Sequence, residues 1–320
     1  MFIQIANPIY DVVFKYLMED SRIAKLIIST IIEEEIVSLD FLPQENTTEI
    51  QNRSLTVYRL DFSAQIKTET GDYKNLIIEI QKAKFATDIM RFRRYLGNQY
   101  RKKNNYYIEE VNTKKSEKVF NKKIKKAMPI LSVYFLGHKL DNIQIPVIKV
   151  KRNYYDVRTN KKLKDKEDFI ESLTHDSYII QIPCLSPDRK TEVETLLSIF
   201  DQSNITDDSH ILKIDENLYD EKYREIIRRL SRAISDPEIR DTMDVEDDIL
   251  EELQNMERII QEKDTVIQDN KKSLQEKESV IQEKESVIQE KESVIQEKES
   301  VIQQKDLIIK ELQKQINNYT

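Results

Sequence analysis

Two acidic side chains, Asp61 and Glu79, lie in segments whose residue pattern sets them face to face. Residues 54–67 (SLTVYRLDFSAQIK) alternate, with Tyr58, Leu60, Phe62, Ala64 and Ile66 on one face and Arg59, Asp61, Ser63 and Gln65 on the other. A period of two means a strand with one buried face. Glu69-Thr70-Gly71-Asp72 supplies turn chemistry, and 75–82 (NLIIEIQK) reads as the returning strand. With the turn centred near residues 70–71, opposed residues sum to about 140, which places Asp61 opposite Glu79 or within one position of it. Side chains so opposed have Cβ atoms about 5 Å apart, and two like charges there destabilise the sheet. A divalent cation gripped by both carboxylates removes that repulsion. Gln81, two residues on and on the same face, adds an amide able to orient water or a phosphate oxygen. The competing reading is an ordinary solvent face neutralised by Arg59 or Lys67, and the pair alone does not choose between the two.

The elements that must hold these residues follow from helical and alternating patterns. Asn7-Pro8 reads as a cap and first helical residue, with a helix through Met18. Ser21 then caps a second helix to about Ile36. After the hairpin, an Arg- and Tyr-rich helix spans roughly 86–104, where Arg91 and Tyr95 stand one turn apart on one face. They either brace the site or a phosphate, or belong to an amphipathic core helix with a snorkelling Arg. Between Arg101 and Lys126 ten Lys/Arg stand against three Glu, with Tyr106, Tyr107 and Phe120 interleaved. Arg101, Lys102, Lys103, Lys122, Lys123, Lys125 and Lys126 form a patch able to meet a phosphate backbone; a solvated connector is the alternative. Residues 129–137 and 178–183 read as buried strands, and 192–200 and 221–234 as helices. Asp236-Pro237 makes a break, and beyond Val245 the pattern is one uninterrupted helix. The chain thus divides into a domain at 1–240 and a tail at 241–320.

Asp11 with Phe14-Lys15 (DVVFK), Leu60-Asp61-Phe62, Glu79-Ile80-Gln81, and Arg91 followed by Arg94-Tyr95 (RFRRY) together resemble the PD-(D/E)XK family of transposases and recombination-promoting nucleases (Rpn). The matching motifs run from about residue 7 to 100. The resemblance implies an α/β, restriction-endonuclease-like mixed sheet flanked by helices, and a DNA endonuclease that uses Mg²⁺, with Mn²⁺ as a substitute. It implies that Asp61 and Glu79 are metal ligands, that the Ile80 carbonyl adds a third, and that Asp11 reaches the metal through water. Gln81 stands where the wider superfamily places its catalytic Lys, which leaves the water-activating group open. Lys82 points to the opposite face by strand alternation, while Lys84 can swing in from the following helix.

Composition narrows the remaining classes. Three glycines leave no phosphate-cradling loop or dinucleotide fingerprint, so no nucleotide cofactor is expected. One cysteine, Cys184, excludes an internal disulfide, and it is expected in the core or a strand. His138, His175 and His210 share no metal-site spacing and read as structural or surface residues. The net charge of -7 means that DNA contact must come from a local basic patch. MFIQIANPIYD is no signal peptide, and the apolar stretch at 23–32 is too short for a membrane span. No membrane partner is expected, and the cytoplasm is the expected compartment.

The tail repeats every seven residues. Leu253, Ile260, Ile267, Leu274, Ile281, Ile288, Ile295, Ile302, Ile309 and Ile316 are all apolar, and four near-identical copies of QEKESVI sit among them. So sustained a heptad is a coiled-coil signal. Three residues after Ile260, Ile281, Ile288, Ile295 and Ile302, where a second apolar knob belongs, stand Lys263, Lys284, Lys291, Lys298 and Lys305, with Met256 and Leu312 apolar only at the ends. A lone charge-stabilised helix needs Glu and Lys three or four residues apart, and the repeat has no such pair. The Val-Ile stripe therefore calls for a partner helix, and a homo-oligomer, a dimer first, is expected. Deleting 250–320 is expected to leave a folded, mainly monomeric core. Three functions remain open: an active nuclease assembled by its tail, a catalytically inactive nuclease-fold DNA-binding module, and a coiled-coil interaction scaffold.

Overall fold

The computed structural model describes residues 1–41, 62–69, 71–82, 88–102, 106–115, 118–165, 167–185 and 188–319, with side chains described for these except 88–91, 109–122 and 315–319. They form two units, Met1–Glu252 and Leu253–Thr320. In chain order the first carries β1 (Phe2–Ala6), α1 (Asp11–Met18), α2 (Ser21–Ile32), β2 (Ile36–Phe41), β3 (Phe62–Thr68), β4 (Tyr73–Gln81) and α3 (Asp88–Arg101). There follow β5 (Tyr106–Lys115), β6 (Lys118–Ala127), β7 (Ile130–Leu136), β8 (Val147–Val150), β9 (Tyr155–Asp156), β10 (Lys161–Lys162) and α4 (Asp168–Leu173). Then come β11 (Asp176–Gln181), α5 (Glu192–Leu197), β12 (Ile211–Asp215), α6 (Glu221–Ala233) and α7 (Pro237–Tyr319), whose first turns belong to this unit.

Six strands make a mixed sheet in the order β2-β3-β4-β7-β11-β8. Its centre, β4, β7 and β11, is parallel, and the remaining pairs are antiparallel. Parallel strands are buried on both faces and read as near-continuous apolar runs, as 76–80 (LIIEI) and 130–136 (ILSVYFL) do. On one face Leu76, Ile78, Ile80, Val133, Phe135 and Ile180 join a core with side chains of α1, α2, α5 and α6. On the other, α3 lays Tyr95 and Leu96 over Ile77 and Ile130, and Phe92 meets Tyr134 with ring centroids 4.9 Å apart. This second cover corrects the expectation of a hairpin with one solvated face. Ser63, Asn75, Glu79 and Gln81, all on the α3 side, are buried.

The β3–β4 hairpin has the expected register: Phe62 pairs with Ile78, Ser63 with Ile77 and Ala64 with Leu76. Gly71 turns it with φ of 91°, a left-handed value that side chains with a Cβ rarely adopt. Several elements differ from their expected bounds. Helix α1 starts at Asp11, because the Asn7 side chain instead accepts a bond from the Ile9 amide and closes a local turn. Asp20, not Ser21, caps α2 by accepting from the Arg22 and Ile23 amides. That helix stops at Ile32, where Glu33 adopts a left-handed conformation, and β2 follows. The basic run, read as a DNA patch or a connector with no strand assigned to it, contains the β5–β6 hairpin. Two short strands far apart in sequence, β1 and β12, pair antiparallel. Cys184 lies in a 3-10 turn after β11, half-buried.

Helix α7 begins at Pro237, whose fixed φ and missing N–H suit a first helical position. Its residues Ile239 and Met243 are buried in the first unit, which extends that unit to Glu252 from the expected boundary at 240. The second unit, Leu253–Thr320, is helical through Tyr319, and its Val-Ile stripe is open to solvent, with Ile281 and Ile288 each 54% exposed. Among the described residues no helix is long and apolar enough to cross a membrane.

Candidate functional site

Glu79 sits near the carboxyl end of β4, in the middle of the sheet, and only 2% of it is exposed. Strand alternation sends Ile80 into the large core and keeps Glu79 and Gln81 on the α3 side. Across the parallel pairing Glu79 neighbours Tyr134 and Gln81 neighbours Leu136. Across the antiparallel pairing, the first residue of β3, Phe62, pairs with Ile78, the neighbour of Glu79. Asp61 lies outside the described residues, as does Lys84; so does the side chain of Arg91.

Around Glu79 the α3-covered face is polar. Ser132 and Ser177, paired across β7 and β11, share a hydroxyl bond of 2.8 Å. Gln99 of α3 is buried on the same side of the molecule as Tyr95. Burial raises the pKa of the Tyr134 phenol, a bond with the Ser132 side chain opposes the rise, and the negative charge of Glu79 adds to it. Tyr134 therefore stays protonated beside Glu79 and keeps its O–H as a donor. These polar partners were missed by sequence reasoning. Their only trace is the alternate spacing of Ser132 and Tyr134 inside an otherwise apolar strand.

At the carboxyl end of β4 a second cluster gathers. The Gly137 amide donates to the Gln81 carbonyl over 2.7 Å. Lys82 reaches past it to Asp247 of α7 and lies 3.6 Å from the centroid of the Tyr10 ring. The Tyr10 hydroxyl donates to Asp247 Oδ2 over 2.8 Å, and His210 Nε2 is 3.0 Å from the same oxygen. Burial pushes the Asp247 pKa up, but bonds from Lys82, Tyr10 and His210 outweigh it and leave the carboxyl below its ordinary value. Next to it, both oxygens of Glu246 receive the Asp11 and Val12 amides, at 2.9 Å each. Asp11 itself is ion-paired with Lys15. It belongs to α1, on the core side of the sheet, whereas Glu79 faces α3. No sequence spacing foretells this cluster, whose members come from residues 10, 82, 210 and 247.

The expected DNA patch is distributed over two elements. Arg101 and Lys102 are exposed at the end of α3. Lys123 and Lys125 are exposed and share one face of β6, where Lys125 lies 4.5 Å from the Tyr106 ring centroid. Lys126, on the other face, is ion-paired with Asp168 at 2.7 Å. Lys103 and the Lys122 side chain are outside the described residues. Among the described residues no three His, Cys, Asp or Glu side chains group as a metal site, and Asp61 is not among them. Comparison of the chain with family models, with curated proteins and with solved structures gives no match.

Proposed function

We propose that this chain is a metal-dependent DNA endonuclease with a restriction-endonuclease-like (PD-(D/E)XK) sheet, of the transposase or recombination-promoting type, which self-associates through its tail. The observation that carries the reading is Glu79. It is a buried carboxylate on a central strand, one position beyond the last described β3–β4 pair. The alternation of residues 54–67 reads Asp61 onto the polar face opposite Glu79, and Asp61 itself lies outside the described residues. The donor set suits a hard cation, because Glu79, Asp61 and the Ile80 carbonyl offer only oxygen. Bound there, Mg²⁺ or Mn²⁺ lowers the pKa of a coordinated water and offsets negative charge on the phosphoryl group. Gln81, on the same face as Glu79, orients the water or a phosphate oxygen through its amide. Tyr134, kept protonated by burial and by Glu79, supplies a neutral donor to that face.

Plasmid cleavage in Mg²⁺ tests the reading. Wild type is expected to cut, and Glu79→Gln and Asp61→Ala are expected to lose at least 10²-fold in rate while keeping the wild-type melting temperature. A Glu79→Gln protein that cuts like wild type would sink the assignment. Salt-sensitive DNA binding without cleavage in wild type would favour the inactive, DNA-binding alternative.

A further inference from the structure

Between β8 and α4 the chain leaves the sheet edge as a small basic finger. Over residues 149–164 seven Lys/Arg stand against one acidic residue, Asp156, in a chain whose net charge is -7. Strands β9 and β10 pair Tyr155 with Lys162 and Asp156 with Lys161. Asn160 turns between them with φ of 52°, and Asp156 closes the turn by accepting from the Arg158 amide and the Thr159 hydroxyl. That carboxylate is thereby occupied inside the loop. Lys149 is ion-paired with Glu33, and Arg152 with Glu171 and Asp176. The other five, Lys151, Arg158, Lys161, Lys162 and Lys164, are exposed, and among the described residues none forms an ion pair. Tyr155 is 55% exposed and Val157, at the tip, 99%.

The finger's root is rigid. The Arg152 guanidinium donates to Asp176 Oδ1 at 2.9 Å, to Glu171 Oε2 at 2.9 Å and to the Glu171 and Thr174 carbonyls at 2.7 and 2.9 Å. Tyr154 donates to the other Glu171 oxygen. A fixed root lowers the ordering cost that a loose basic loop would meet on binding. The root lies at the amino end of the parallel strands, where β8 leads the chain away from the level of Glu79. Val150 pairs with Ser177, which aligns through Ser132 with Ile77, two residues before Glu79. Three strand spacings, about 14 Å, separate β8 from β4, a span of roughly four steps of a DNA strand.

We infer that the β9–β10 finger is a nucleic-acid contact surface, which grips the phosphate backbone of duplex DNA with Lys151, Arg158, Lys161, Lys162 and Lys164. Its chemistry is charge neutralisation, with Tyr155 free to lie against a sugar or base. The inference rests on the reading of this chain as a DNA-binding protein and adds a surface outside the Arg101–Lys126 run. The test is binding of the full chain to a fluorescein-labelled duplex oligonucleotide, followed by anisotropy against salt in EDTA, so that cleavage cannot interfere. Replacing Arg158, Lys161 and Lys162 by Ala is expected to weaken binding at least tenfold and to lower the slope of log affinity against log salt by about 2 to 3. The melting temperature stays unchanged, since these side chains leave the turn bonds intact. Unchanged affinity and slope, no duplex binding by wild type, or binding to phosphatidylserine vesicles but not to duplex would each overturn it. Cleavage by Glu79→Gln would remove the nuclease assignment and leave this result standing.

Discussion

The Glu246 carboxylate at the amino end of α1 links a single titration to the stability of the fold. Burial raises its pKa from 4.5 to about 7, the Asp11 charge adds to the rise, and the Val12 and Asp11 amides and Lys15 oppose it. A folded-state pKa above the unfolded value means that the native state binds the extra proton between pH 4.5 and about 7. Stability therefore falls as pH rises through that window and is level above it. Chemical denaturation of Glu246→Gln is expected to lose this slope, with a change on the order of 3 kcal/mol across the window relative to wild type. An unaltered pH profile would refute the assignment of that slope to Glu246. Asp247, one residue on, has the opposite sign. Its lowered pKa contributes stability that is lost only as pH falls below the ordinary carboxylate range.

At the scale of elements, Gly137 is where a strand, a strand end and a helix start meet. A Cβ there would lie 2.4 Å from the Lys82 carbonyl oxygen and 2.9 Å from Ile9 Cδ1. The first is backbone, so Gly137→Ala must displace the end of β4. Thermal unfolding should report a loss of about 1–3 kcal/mol, and a variant as stable as wild type would contradict that packing. The β3–β4 hairpin was legible because alternation and Gly71 act within a few residues, and its register emerged as expected. The helical stripes of 192–200 and 221–234 were legible for the same reason. The polar face of β4 was misjudged, because the pattern of Glu79 and Gln81 matches a solvated face until α3 is laid over it. Strands β1 and β12 were invisible, since five residues each carry little pattern and their partners are some 210 positions apart. Strands β5 and β6 were hidden by their lysines, which argue for a connector although backbone pairing holds them.

For the molecule as a whole, α7 belongs partly to the core and partly to the tail. Deleting 253–320 is expected to leave the first unit folded and monomeric by light scattering, while deleting 237–320 removes Ile239, Met243, Glu246 and Asp247 from it. Loss of two buried apolar side chains and two anchoring carboxylates should cost on the order of 5 kcal/mol or more, comparable with the whole stability of a marginal domain. A stable protein ending at Asp236 would refute this division. The capping of α1 by Glu246 also fixes an order of events during synthesis. The amides at residues 11 and 12 wait for a partner some 235 residues later, so this cap forms only once nearly all of the first unit has been translated. The tail then takes several seconds more at ~5–20 residues per second. If the heptads pair as proposed, each newborn chain has the time to close its own core before it meets a neighbour.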